Sequence, residues 1–137
     1  MTQPHHRRHK HILFALNSTN FECQISTWTL DAGETDGDRR WTFCGPDGVD
    51  FEEETDAEPT LAVTFFADWR EDGISDFLWT NRGQVATVSI THHAGLVGEE
   101  VQFTGMVRLK APPVGGEART TEEQEVTFVV TELDYVR

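Results

Sequence analysis

No run of apolar residues in this chain approaches the ~18 that a membrane-crossing helix requires, and the opening residues, MTQPHHRRHK, lack the apolar stretch of a secretory signal. The expectation is a protein made and kept in a cytoplasm. Cysteine is scarce. Only Cys23 and Cys44 are present, neither in a C-x-x-C pair, so a structural zinc site or a dithiol redox centre has no support. Both fall in predicted strands, and without a secretion signal two separate buried thiols are expected instead of a disulfide. Nucleophile motifs are missing as well. No serine occupies a G-x-S-x-G elbow, neither cysteine has a histidine near it in sequence, and GPDG and PVGG lack the spacing of a phosphate or dinucleotide loop.

Positive charge is the other shortage. Eleven Lys and Arg stand against 24 Asp and Glu, for a formal net charge of −13, and every acid follows residue 11. A body this acidic repels nucleic-acid phosphates unless a local patch is basic. The basic residues of the body are scattered, with Arg39–Arg40 and Arg108 with Lys110 as the only local pairs, and no aromatic-plus-basic stripe or helix-turn-helix spacing is present. The simplest reading of the acidity is solubility.

What is present fits one domain. A chain of 137 residues can bury a real core, and a hydrophobic share of 37% points to one compact core with several polar loops. Residues 1–11 read as a flexible basic arm. His5, His6, His9 and His11 could bind zinc or nickel there, but His-rich arms and tags do so without purpose, and no metal or cofactor is assigned. Residues 12–137 read as the domain. In FECQISTWTL, Phe21, Cys23 and Ile25 alternate with polar residues as in a half-buried strand, and Trp41 and Phe43 mark a second strand expected to form a hairpin with it. Residues 45–59 read as a long acidic loop, with seven acids between Asp47 and Glu58 and no base. Loops this long are functional or disordered, and the spacing is not that of an EF-hand.

Leu61, Val63 and Phe65 then alternate with Ala62, Thr64 and Phe66. In DGISDFLWTNRG, Ile74, Phe77 and Leu78 fall at i, i+3 and i+4, a short helix with Asp72 as the expected N-cap and Asn81 to Gly83 as its stop. Three strands follow: Ala86, Val88 and Ile90 alternate in the first, Val101, Phe103, Val107 and Leu109 in the second, and Val126, Phe128 and Val130 in the third. Gly105 marks a bulge or a close backbone approach, and APPVGGEARTTEE is a loop. The predicted fold is mainly β, a β-sandwich or barrel-like domain of about six to eight strands with one short flanking α-helix.

Titratable candidates for chemistry are His92, His93, Asp68, Asp72 and Asp76, with Ser89 or a cysteine as the nucleophile. Neighbours in a strand point to opposite faces, so His92 and His93 are not expected to share a site. Trp28, Trp41, Trp69 and Trp79 are assigned mostly to core or helix packing. No enzyme activity is expected.

The segment TFFADWREDGISDFLWTNRGQVATVSI, the following GMVRLKAPPVGG and the last strand EVTFVVTEL together resemble the major tail protein, or tail tube protein, of long-tailed phages with non-contractile tails. Asp68, Trp69, Gly73, Phe77, Leu78, Asn81 and Gly83 match that family's strand-to-helix outline, and Pro113, Gly115 and Gly116 match its Pro/Gly loop. The likeness runs over about residues 21–134. It implies a virion structural protein made in the host cytoplasm, self-assembling into hexameric rings that stack into a tube through which DNA passes without specific binding, in company with other tail proteins. An acidic lumen would keep DNA off the wall. The basic arm is no part of the family outline, and the stretch of Asp47, Asp50, Glu52, Glu53, Glu54, Asp56 and Glu58 is unusually charged. As a ring contact that stretch would need Arg39, Arg40, Arg108 or Arg119 of an adjoining copy; otherwise it is a solvated loop. Alternatives are another phage ring or coat protein, such as a tail terminator or head decoration protein, and a non-phage β-sandwich module binding carbohydrate or protein.

Overall fold

The computed structural model describes residues 5–137. Nine strands and one helix follow in order: β1 (Ile12–Leu16), β2 (Thr19–Asn20), β3 (Ile25–Asp31), β4 (Arg39–Thr42), β5 (Val49–Glu52), β6 (Thr60–Phe66), α1 (Ile74–Thr80), β7 (Val85–His92), β8 (Val101–Arg108) and β9 (Glu123–Val136). Seven strands form one antiparallel sheet in the order β2-β1-β7-β8-β9-β6-β3, curled into a half-barrel. The mainly β architecture with one short helix is therefore as the alternation of apolar residues implies.

The concave face holds the core. Alternate residues of each strand point the same way, and the buried set follows that period: Leu61, Val63 and Phe65 on β6, Ala86, Val88 and Ile90 on β7, Val126, Phe128 and Val130 on β9. Ile74 and Leu78 of α1 insert among Phe14 and Leu16 of β1, Val63 and Phe65 of β6, and Val126 and Phe128 of β9. Strands β1 and β6 are far apart in the sheet order, so the helix closes the mouth of the curl. Gly105 sits at the register shift between β8 and β9. A methyl group there would lie 2.6 Å from Val130 Cγ1, so bulge and close approach both hold.

Four expectations change. First, β3 does not form a hairpin with the Trp41 strand; it pairs with β6, while β4 pairs with β5. Trp28 and Leu30 face Val63 and Leu61 across the β3/β6 ladder and pack on the core, whereas β4 has Arg39, Arg40 and Thr42 around Trp41 and no apolar face to contribute. Second, residues 45–59 are not loop throughout, because Val49 and Phe51 alternate with acids and form β5. Third, a turn over residues 22–24 interrupts the predicted first strand, which leaves Cys23 exposed; Cys44, just past β4, is exposed too, so neither thiol is buried. Fourth, the helix N-cap is Gly73, not Asp72. Asp72 has φ 61°, outside the extended range of an N-cap, and its N–H donates to the Asp76 carboxylate at 3.2 Å.

Candidate assembly surface

The residues between β3 and β6 continue that ladder outward as a two-stranded ribbon. Glu58 N–H donates to Gly33 C=O at 3.3 Å, Thr55 Oγ1 to Thr35 C=O at 2.6 Å, and Glu53 N–H to Asp38 C=O at 2.9 Å. The legs then become β4 and β5, which pair with each other and place no side chain in the buried core. Two glycines permit the close approach: a methyl group on Gly33 would meet Glu58 C=O at 2.1 Å, and one on Gly37 would meet Glu53 C=O at 1.8 Å. With about 3.3 Å per residue, legs of roughly ten residues reach ~30 Å from the body.

Register decides what the ribbon presents. Residues opposite each other share a face, so Arg39, Trp41, Asp50 and Glu52 lie on one side and Arg40, Thr42, Val49 and Phe51 on the other. Phe43 extends the first face towards the tip. Trp41 is 68% exposed, Phe43 is fully exposed, and Val49 and Phe51 are about half exposed. Near the base, Arg39 pairs with Asp50 and Arg40 with Glu53. The two arginines expected to meet acids of another copy are thus engaged within their own ribbon. Asp47 sits in the exposed tip turn, and Glu52 accepts from Gly37 N–H at 2.9 Å. Glu54, Asp56 and Glu58 are exposed along the returning leg, and none of them forms an ion pair among the described residues.

The second group of predicted residues is an internal brace. Asp68 lies between β6 and α1, and its carboxylate accepts from Arg70 Nε and Nη2, both at 2.9 Å, from Arg70 N–H at 3.2 Å and from Gln24 Nε2 at 2.9 Å. The Arg70 side chain is the main reason its carboxyl is held well below the usual range. Asp68 N–H donates to Ser75 Oγ at 3.1 Å, and Ser75 N–H returns to Asp68 C=O at 3.2 Å. Ser75 Oγ–H then donates to Gln124 Oε1 at 2.6 Å, and Gln124 Nε2 to Pro113 C=O at 3.3 Å. Gly73 is required because a methyl group there would stand 2.5 Å from Asp68 C=O and 2.6 Å from its carboxyl carbon. Trp69 Nε1 donates to Glu122 at 2.8 Å, Phe77 tilts against Phe21, Leu78 is core, Asn81 N–H and Nδ2 close the helix on Phe77 C=O, and Gly83 turns with φ 85°. Ser75 and Gln124, the two buried polar side chains of this brace, carry no motif that sequence reasoning could have used.

A third feature is a stack of imidazoles. His93 has φ 51°, which breaks the strand alternation and brings its ring 3.9 Å from that of His92, so the two do not point to opposite faces. His9 stacks on His92 at 5.3 Å, and Trp28 meets it edge-on. Burial, then the nearby His93 and His9, lower the His92 pKa. Among the described residues no group of three His, Cys, Asp or Glu has the placement to hold a metal ion. Ser89 Oγ accepts from Gln102 Nε2 at 2.9 Å and has no imidazole partner. Asp72 and Asp76 meet only around the helix start.

Residues 5–11 run along the body without regular structure, tied by His5 and Arg7 to Glu99; the first four residues of the predicted arm lie outside the described ones. With the loop after β7 they enclose an open cleft of about 450 Å³ lined by His6, Arg7, Arg8, Lys10, His11, His93 and Leu96. Of the predicted tryptophans, Trp28 and Trp79 are partly buried, but Trp41 and Trp69 are exposed, contrary to a packing role for most of them. Compared with known proteins, the chain matches no family model and no curated protein.

Proposed function

We propose that this chain is a structural protein that assembles with copies of itself, of the tail tube class of long-tailed phages with non-contractile tails. The observation that carries the reading is the ribbon from Gly33 to Pro59, which adds no side chain to the core and displays Trp41, Phe43, Val49 and Phe51 to solvent. A lone two-stranded hairpin is marginally stable in water, and exposed apolar groups on one are characteristic of contact surfaces. The curled sheet with outer strands β3 and β2 offers edges on which further copies can align. The reading assigns no catalytic step and no cofactor; its partners are other copies, other tail proteins and DNA in transit, in the virion.

Purified protein is expected to form rings or tubes in negative-stain micrographs, with sixfold rings in class averages. Rings that never stack would favour a terminator or decoration role. A chain that stays monomeric at the highest attainable concentration, with tryptophan emission that shifts on adding glycans, would replace the assembly reading by a carbohydrate-binding module using Trp41.

A further inference from the structure

We infer that the ribbon of one copy docks on the basic cleft that residues 6–11 and 93–96 form on a second copy. The inference rests on the self-assembly part of the reading above and names the surface it uses. Two surfaces in this chain are unfulfilled and opposite in character. One is the ribbon, apolar at the tip and strongly acidic along its legs, with ten acids against two bases between Glu34 and Glu58, both bases already paired. The other is the cleft. Residues 5–11 contain three of the eleven Lys and Arg and no acid; the loop facing them adds His93 and the exposed Leu96 beside the fully exposed Val97, and its acids are already engaged, Glu99 by His5 and Arg7 and Glu100 by Gly95 N–H.

Arg8 and Lys10 form no ion pair among the described residues, and neither do Asp47, Glu54 and Asp56 of the ribbon. Arg7, Arg8 and Lys10 are the densest group of Lys and Arg in the chain, so docking an acidic ribbon on the cleft relieves repulsion instead of adding to it. The apolar part matches as well: Trp41 and Phe43 at the tip would cover Leu96 and Val97, leaving the charged legs at the rim, the arrangement that separates affinity from steering in protein contacts. A ribbon cannot reach back to the cleft of its own chain as part of the sheet, because its legs extend the β3/β6 ladder while the cleft lies at the β1/β7 side. The contact is therefore head-to-tail between copies, which propagates or closes into a ring.

The test is a charge swap in the full chain, read by analytical ultracentrifugation. One variant carries Arg8→Glu with Lys10→Glu, the other Asp47→Lys with Glu54→Lys; all four positions are exposed and unpaired, and circular dichroism and thermal unfolding establish that both fold as the parent does. Each alone is expected to associate on the order of tenfold to a hundredfold more weakly than the parent, since attraction across several rim charges becomes repulsion. Mixed in equal amounts they should associate again, because each supplies the charge the other lacks. High salt, which shortens the Debye length from about 8 Å to about 3 Å, should weaken the parent and the mixture alike. A parent that assembles while the variants assemble equally well overturns the docking and leaves the assembly reading standing. Loss in the ribbon variant alone places the ribbon on another surface and also overturns it. A parent that is monomeric throughout overturns both.

Discussion

Replacing residues 34–57 by Asn-Gly should leave the body folded while removing self-assembly. The junction suits the operation: Gly33 C=O already accepts from Glu58 N–H at 3.3 Å, the bond that brackets a two-residue hairpin turn, for which Asn-Gly is the preferred sequence. The excised segment contributes no buried side chain to the core. Its ion pairs, Arg39–Asp50 and Arg40–Glu53, are exposed and worth little, about 0–1 kcal/mol each. Against that small loss stands the relief of closing a connection of roughly 24 residues down to two, about 2 kcal/mol from (3/2)RT ln n. Urea unfolding should thus give a stability equal to the parent's or up to about 2 kcal/mol higher, and micrographs of the variant should show neither rings nor tubes. Loss of cooperative unfolding, or destabilisation beyond about 1 kcal/mol, would refute the claim that the ribbon is energetically separate from the half-barrel. Tubes from the excised protein would refute its role in assembly.

Three substitutions probe the brace beneath the helix. Gly73→Ala places a methyl group 2.5 Å from Asp68 C=O, backbone that cannot yield cheaply, so it should cost about 1–3 kcal/mol or more by chemical denaturation. Ser75→Ala leaves Gln124 Oε1 and Asp68 N–H without their shared partner in a fully buried position and should cost about 1–3 kcal/mol, visible as a lower urea midpoint with unchanged m. Asp68→Asn tests pH dependence: the folded state holds this carboxyl below its ordinary 3.8, chiefly through Arg70, so its contribution is present above that pH and is lost as pH falls below it. Melting temperature should fall less steeply below pH 3.8 in the variant than in the parent, and identical acid limbs would contradict the assigned interaction.

The sheet was legible because burial on one face imposes a period of two that survives in sequence, as β6, β7 and β9 show residue by residue. Helix α1 was legible from the spacing of Ile74, Phe77 and Leu78, but its cap was not. The cap depends on Gly73 fitting against Asp68, a tertiary contact that local preference for Asp at an N-cap does not report. Partner choice for β3 was misread for a similar reason: proximity in sequence favoured Trp41, whereas the core needed Trp28 and Leu30 beside Val63 and Leu61, some thirty residues away. The ribbon was half visible. Val49 and Phe51 alternate, but the surrounding acids suggested loop, because charge normally marks solvent and a solvent-exposed ribbon satisfies the same composition. Nothing in the sequence joined His9 to His92 and His93; the positive φ at His93 stacks the last two, and the pairing of Ile12 with His92 lays the preceding His9 against them.

If the chain builds a tube as proposed, the placement of charge alters how its acidic composition would bear on DNA passage. On the proposed reading the convenient assumption is an acidic lumen, yet ten of the 24 acids are on the ribbon. The uncovered face of the half-barrel is instead rich in hydroxyls and amides. Ladder partners on that face include Thr29 and Ala62, Thr64 and Glu125, Ser89 and Thr104, Thr91 and Gln102, and Met106 and Thr131. Arg108, opposite Val85, is the one basic residue on it among the ladder pairs, and its acids, Asp31, Glu123, Glu125 and Asp134, stand towards strand ends or past the bulge. Phosphate binding to protein depends on releasing counterions through Lys and Arg contacts. A wall lacking such contacts needs no strong negative field to stay free of DNA, and a strong field would itself oppose entry. The ribbon acids then act locally, where the Debye length of about 8 Å lets them steer a basic partner surface and little else. On the proposed reading, then, the largest concentration of negative charge, residues 34–58, and the chemistry of a wall built from the sheet's threonines belong to separate parts of the fold.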